Sequence, residues 1–305
     1  MKILIISDVH GTSNWKNAIV KYENQYEHVI FMGDYFDNYK LAYKGMKALE
    51  NFQDICAFAR ENENVHLLIG NHDYDNYILF GNCSGFQKDY FFLYHNELLK
   101  NMDLLDIAYK FDDYVFSHGG FSKTWLDRLI NFKFTFISKE NWNKLSSIDK
   151  ANYIFHKQFE DDVKGIREWF TFYEHDMSSC GENQYQSPLW LRPSTLLEHS
   201  AFEKQVVGHT EYCIDEYMAL KKDNNYVLLT DSAHHNSFGI FDTEKPIEPI
   251  TILDLEKLYK NKIGAINNLK SRFGCMNIND YEKLKIIAEE FGKDKLQYYK
   301  YYFEV

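Results

Sequence analysis

Aspartates, histidines and one asparagine recur beside glycines at five places in the chain. They are Ser7-Asp8-Val9-His10-Gly11, Gly33-Asp34-Tyr35-Phe36-Asp37, Gly70-Asn71-His72-Asp73, Ser117-His118-Gly119-Gly120 and Gly208-His209-Thr210. Hard oxygens mixed with imidazoles suit Mn²⁺, Fe or Zn²⁺, and the absence of cysteine argues against a structural zinc site. Glycines at such points let the backbone turn tightly and approach an ion or anion closely. Two divalent ions about 3.5–4 Å apart clamp the attacking and leaving oxygens of a displacement at phosphorus. A carboxylate bridges such ions, having two oxygens to share, and coordinated water loses its proton near neutral pH. An imidazole beside the leaving oxygen can donate a proton, a contribution of roughly 10²–10⁴-fold.

Short apolar runs precede these groups. Residues 3–6, 29–32, 65–69, 114–116, 205–207 and 226–229 are rich in Val, Ile and Phe and end in turn signals. Runs of that length and composition predict buried strands. Helical stretches lie between several of them, at 14–23 and at 42–62, where Leu49, Phe52, Ile55, Cys56 and Ala59 share a face. Strand and helix in alternation predict an α/β layered fold. The carboxyl edge of such a sheet converges many loops on one crevice, the natural place for ligands. Any one of the five blocks, taken singly, reads as well as a turn former or a helix cap. Five of them after five strand-like runs do not.

The rhythm breaks over residues 121–200, an aromatic-rich stretch with helical pieces such as 149–159. We read it as a mainly helical insertion, its aromatics mostly core. Beyond 254 the pattern is helical again, at 255–270 and 280–291, with Asp280 as an N-cap. The predicted organisation is a catalytic domain over 1–254 and a helical C-terminal appendage over 255–305.

Composition bounds the function. The chain has 305 residues, 45% apolar and 26% charged, ordinary for a globular protein. Net charge is −11, which disfavours non-specific nucleic-acid binding, where affinity comes from phosphate neutralisation by Lys and Arg. Five cysteines (Cys56, Cys83, Cys180, Cys213, Cys275) with no close pair predict free thiols in a reducing compartment. The apolar run at the amino terminus is too short for a signal-peptide core, and no run reaches membrane-span length. The expectation is a cytoplasmic protein with no membrane partner.

The series Asp8-x-His10, Gly33-Asp34-x-x-Asp37, Gly70-Asn71-His72-Asp73, His118-Gly119-Gly120 and Gly208-His209-Thr210 resembles the calcineurin-like metallophosphoesterase superfamily. All five blocks stand in that family's order. The resemblance implies a β-sandwich of two mixed sheets flanked by helices. It implies that Asp8 and His10 hold a first metal, that Asp34 bridges both, and that Asn71, His118 and His209 complete the second. Asn71 would also face the substrate, and His72, oriented by Asp37, would be the general acid. The reaction would be in-line attack on phosphorus by a water lying between the metals. Manganese is the expected metal, with iron, zinc, nickel or magnesium compatible.

Within the superfamily the single histidine of Gly208-His209-Thr210, followed by Glu211, resembles the phosphoprotein phosphatase branch. That branch also contains symmetrical dinucleoside tetraphosphate hydrolases. Leu229-Thr230-Asp231-Ser232-Ala233 and Pro188-Leu189-Trp190-Leu191-Arg192-Pro193 resemble its later blocks. Two departures bear on substrate. Asn38-Tyr39 replaces the branch's Arg-Gly, and Asp73 replaces its Glu. A planar guanidinium grips phosphate in bidentate fashion, and Arg192 is the candidate substitute. The expected substrate is a phosphate monoester, phosphoserine or phosphothreonine on a protein. The rival is a nucleotide phosphoesterase, and a second rival is a non-catalytic binding protein on the same fold.

Overall fold

Residues Lys2–Ile6 form β1, and four of the five are buried. A strand apolar on both faces needs a layer on each side, and its alternation shows which. Ile3 and Ile5 belong to one apolar cluster, with Ile30, Met32, Leu68, Phe116, Val206 and Leu228. Leu4 and Ile6 belong to another, with Val29, Phe31, Phe52, Ile55 and Leu98. Odd residues of β1 therefore meet a second sheet, and even residues meet helices.

A computed structural model describes residues 1–38, 44–81, 83–131, 137–166, 183–210, 217–231 and 238–251. The first sheet joins β1 to β2 (His28–Phe31), β3 (Val65–Leu68) and β4 (Leu105–Asp106), all parallel. The antiparallel edge strand β10 (Phe238–Asp242) lies on the other side of β1. The second sheet has β6 (Tyr114–Ser117), β7 (Lys204–Val207) and β9 (Asn225–Leu229) parallel at its centre. Antiparallel β5 (Ala108–Phe111) and β8 (Met218–Lys222) flank them, and β11 (Ile250–Thr251) pairs with β8. The orders are β10-β1-β2-β3-β4 and β11-β8-β9-β7-β6-β5. Both sheets are mixed and helices flank them, as the sequence predicts.

Helices α1 (Asn14–Lys21), α2 (Met46–Glu61), α3 (Asn71–Tyr77) and α4 (Phe91–Lys100) follow the strands of the first sheet. The stretch 121–200 supplies α5 (Lys123–Asn131), α6 (Lys139–Lys144), α7 (Ser147–Val163) and α8 (Pro193–His199). Its described residues contain no strand. Trp125, Phe155 and Phe159 are buried in the core rather than spread over the surface. Trp169, Phe170, Phe172 and Tyr173, and the helices predicted beyond 254, lie outside the described residues. No described helix is long and apolar enough to cross a membrane.

The edges differ from expectation in small ways. The run predicted over 65–69 forms a strand to Leu68, and Ile69 still donates to the Asp106 carbonyl of β4 (3.0 Å) before the chain turns at Gly70. The helix predicted from 42 begins at Met46, after Gly45 in the left-handed region (φ +65°). Among the strands the sequence did not single out, β5 carries no continuous apolar run, whereas β8 holds Met218-Ala219-Leu220 and β10 holds Phe238-Gly239-Ile240-Phe241. All three sit at or beside sheet edges, where one half-exposed face is enough.

One polar pair lies between the sheets. His28 Nδ1 and His66 Nε2 are 3.1 Å apart, under Tyr109 and Phe111. Burial, then the neighbouring His28, pushes the His66 pKa down to about 4, although Asp106 pulls the other way. A base depressed in the folded state but ordinary when unfolded, near 6.5, binds its proton only on unfolding. Its contribution is therefore full above pH 6.5 and is lost as pH falls from there to about 4. His66→Leu is expected to flatten the fall of urea midpoint across that window. An unchanged pH slope would refute the assignment.

Candidate active site

The strands of both sheets deliver their carboxyl ends to one place, where the chain turns sharply. Asp8 (φ +41°) and His10 (φ +43°) follow β1, Asp34 (φ +54°) and Asp37 (φ +48°) follow β2, and His209 (φ +59°) follows β7. Left-handed backbone costs a non-glycine residue about 1–3 kcal/mol, and Asp and His bear it better than most. Five of the nine described non-glycine residues with positive φ are thus predicted site residues, so strain concentrates here.

Backbone bonds knit these turns together. His10 N–H donates to the Asp34 carbonyl (2.6 Å), Gly11 N–H to Tyr35 (2.8 Å) and Gly208 N–H to His118 (2.9 Å). His209 N–H donates to the Asp8 carboxylate (3.1 and 3.2 Å). Across the two sheets, Thr230 Oγ1 bonds Ser7 Oγ (3.0 Å), and Ser7 Oγ donates to Asp8 Oδ2 (2.5 Å). Asp73, buried in the first turn of α3, accepts from Gly70 N–H (3.1 Å) and Tyr35 N–H (2.8 Å). The sequence treats Asp73 only as a departure from a motif, yet it ties two site loops together. Its place three residues into a helix, where a carboxylate reaches back to the cap, is the signal for that role.

Each histidine is oriented by its other nitrogen. His118 Nδ1 faces the Met32 carbonyl (2.8 Å) and His10 Nδ1 the Asp37 carbonyl (2.7 Å), which leaves Nε2 pointing inward. His209 Nε2 faces the Trp190 carbonyl (3.2 Å), which leaves Nδ1 inward. The inward nitrogens converge on oxygens. His118 Nε2 is 2.7 Å from Asn71 Oδ1 and 3.5 Å from Asp34 Oδ2. His209 Nδ1 is 3.0 Å from Asn71 Oδ1, and His10 Nε2 is 3.9 Å from Asp34 Oδ2. Ligand atoms of Asp8, Asp34 and His118 all lie within 4.8 Å of one another, and all three residues are buried.

That donor set fits a cation. A neutral imidazole has one proton to give, and the backbone carbonyls behind His118 and His209 take it. Their other nitrogens then face the Asn71 oxygen acceptor to acceptor, an arrangement that a metal ion between them would satisfy. Carbonyl partners fixing the tautomers of metal-binding histidines are the usual outer support of such sites. Electrostatics agree. Burial, helped by Asp34 and opposed by His118, lifts the Asp8 carboxyl above its ordinary value. Burial beside Arg192 holds His209 well below the ordinary imidazole range, in the neutral form that binds metal.

Glycines make room for this. A Cβ on Gly208 would stand 2.4 Å from Asp8 Oδ2, and one on Gly70 would stand 2.1 Å from Asp34 Oδ1. His72 lies at the start of α3, its N–H donating to Asp34 Oδ1 (3.0 Å) and its Nδ1 meeting Asp37 Oδ2 (3.2 Å). Burial opposes its charged form, but Asp34 and the Asp37 hydrogen bond outweigh that and push its pKa up to about 9. Arg192 caps α8, and its Nη1 donates to the His209 carbonyl (2.8 Å) and to Thr210 Oγ1 (3.1 Å). Its buried Nε has no partner among the described residues. Sequence reasoning missed the Trp190 carbonyl behind His209, and a backbone carbonyl has no residue signature to read. Glu211 lies outside the described residues.

An α/β sandwich with Asp, Asn and His converging at its strand ends is the frame of a metal-dependent hydrolase. Residues 1–213 match the family described as calcineurin-like phosphoesterase, and the chain belongs to that family. The family is one of hydrolases that act on phosphoesters with divalent metals. A comparison with curated proteins gives no match. Among solved structures, the chain is similar to a cold-active protein-tyrosine phosphatase of a psychrophilic Shewanella species. That likeness has 20% identity and a TM-score of 0.48, over 79% of this chain and 75% of that one. It is also similar to a protein serine/threonine phosphatase from Saccharomyces cerevisiae (17%, TM-score 0.40, 76% and 67%). A metallophosphoesterase from Sphaerobacter thermophilus matches at 14%, TM-score 0.41, over 90% and 98%. Likenesses this distant carry nothing about substrate.

Proposed function

We propose that the protein is a dinuclear metal-dependent phosphatase of phosphate monoesters. The observation that carries this reading is the inward convergence of three histidine nitrogens, each with its second nitrogen held by a backbone carbonyl. Asp8 and His10 would hold one ion, Asn71, His118 and His209 the other, and Asp34, lying between His10 and His118, would bridge them. Manganese is the proposed metal, with iron, zinc, nickel and magnesium compatible with the same donors. When bound, the ions supply Lewis-acid charge at phosphorus and a nucleophilic water at neutral pH.

The chain's own residues would do the rest. His72, with Nδ1 held by Asp37, presents Nε2 to the departing oxygen and gives it a proton. Asn71 lines the substrate's side of the centre. Arg192, held beside His209 by its bonds to the His209 carbonyl and Thr210, offers guanidinium donors to the phosphate's free oxygens. The substrate we favour is a phosphoserine or phosphothreonine protein, on the motif resemblance; the second reading is a nucleotide polyphosphate. The catalytic unit would span 1–254, with 255–305 appended. Cys56 and Cys83 are free thiols, which suits the cytoplasm.

The test is Mn²⁺-dependent hydrolysis of a chromogenic aryl phosphate, wild type beside His118→Ala. Turnover by wild type and its loss in the folded variant are expected. Parallel assays on phosphopeptides and on a dinucleoside tetraphosphate then rank the two substrate classes. An inert wild type that binds no Mn²⁺ would leave the non-catalytic reading in front.

A further inference from the structure

Behind the proposed acid lies a second layer that the reaction, as read above, does not use. The Asp37 carboxylate is buried and accepts three side-chain hydrogen bonds. His72 Nδ1 and Asn76 Nδ2 both meet Oδ2, and the Tyr77 hydroxyl donates to Oδ1. Each donor is itself fixed. Asn76 Oδ1 accepts the Cys83 N–H (2.7 Å), so the amide cannot turn over. The Tyr77 hydroxyl accepts the Gln87 N–H (3.2 Å), and its ring packs edge-on against Phe36 and Tyr94. Gln87 Oε1 in turn accepts from Gly45 N–H (2.8 Å) and lies 3.1 Å from the Tyr94 hydroxyl.

A hydroxyl adds nothing to apolar packing, and burying one is costly unless it is bonded. The bond Tyr77 makes is to the carboxylate that orients His72. With Oδ1 held by Tyr77, rotation of the carboxylate is stopped, and Oδ2 stays aimed at the His72 ring. We propose that Tyr77, seconded by Asn76, is a positioning residue for proton donation by His72, acting through Asp37. This inference rests on the reading of His72 as general acid.

The test separates leaving groups. Departure of nitrophenolate needs little protonation, whereas departure of phenolate needs much more. Wild type, His72→Ala, Tyr77→Phe and Tyr94→Phe are assayed with Mn²⁺ on phenyl phosphate and nitrophenyl phosphate. His72→Ala is expected to lose about 10²–10⁴-fold in kcat on phenyl phosphate. Tyr77→Phe is expected to lose about 10–100-fold there, the usual cost of an outer partner, and to change little on nitrophenyl phosphate. Tyr94→Phe removes a hydroxyl from the same network without touching Asp37, and should show no leaving-group dependence.

A second readout needs no metal. The downfield Nδ1 proton resonance of His72 should persist in metal-free wild type and Tyr94→Phe, and move upfield or broaden in Tyr77→Phe. If His72→Ala discriminates between leaving groups and Tyr77→Phe does not, the positioning role alone is overturned. If His72→Ala does not discriminate, the reading of the acid falls and the inference with it. Should Tyr77→Phe fail to fold, Asn76→Ser is judged by the same two readouts.

Discussion

Asp34→Asn is expected to lose activity well beyond the ~10–100-fold that an outer partner costs. Asp34 is buried between His10 and His118, and it also accepts the His72 N–H, so it touches both proposed metal positions and the acid. An amide keeps the volume and one oxygen but loses the charge that two cations would share. The same substitution should erase stabilisation by metal. A ligand that binds only the folded state adds about 2.7 kcal/mol when its free concentration is about 100 times Kd. Wild type should therefore melt higher with Mn²⁺ than with a chelator, and Asp34→Asn should melt at the same temperature in both. A variant that keeps its Mn²⁺-induced shift would remove Asp34 from the centre.

Gly70→Ala is expected to be nearly as damaging, although it deletes no ligand. The backbone there (φ −101°, ψ 170°) is one that alanine adopts freely. The obstacle is steric, because the new Cβ would stand 2.1 Å from Asp34 Oδ1 and 2.3 Å from the Asp34 amide nitrogen. Overpacking of this kind costs about 1–3 kcal/mol, and the atoms that must move include the proposed bridging carboxylate. Gly165→Ala gives the contrast. That glycine has φ +73°, and a Cβ added to it would meet nothing within 4 Å, so strain without displacement of the site is expected. Melting temperature and activity measured together distinguish them. Gly70→Ala should lower both, and Gly165→Ala only the first. Full activity in Gly70→Ala would mean that the Asp34 position is not critical.

Much of this was legible in residue order. The runs before Asp8, Asp34, Asn71, His118 and His209 became β1, β2, β3, β6 and β7, because a strand covered on both faces is mostly apolar, with exceptions such as His66 and Gln205, and so announces itself. Edge strands do not. Phe238–Asp242 has one buried residue in five, and Ala108–Phe111 pairs through a turn at Asp112 (φ +50°). At the site, the donors were visible by type and spacing, whereas what orients them was not. The Met32, Asp37 and Trp190 carbonyls exist at every residue, and only the folded chain selects three of them. No motif or spacing in the sequence singles out Tyr77. Its hydroxyl acquires meaning from Asp37, 40 positions away in sequence.

The left-handed turns at Asp8, His10, Asp34, Asp37 and His209 set evolution and stability against each other at the same five positions. Glycine would relax each of them, yet it would remove an oxygen or an imidazole from the centre. A survey of random variants scored only for resistance to heat would thus flag, as its improvable positions, residues of the proposed active centre. Replacements welcomed by the fold and refused by the reaction would outline the cleft without any substrate being known.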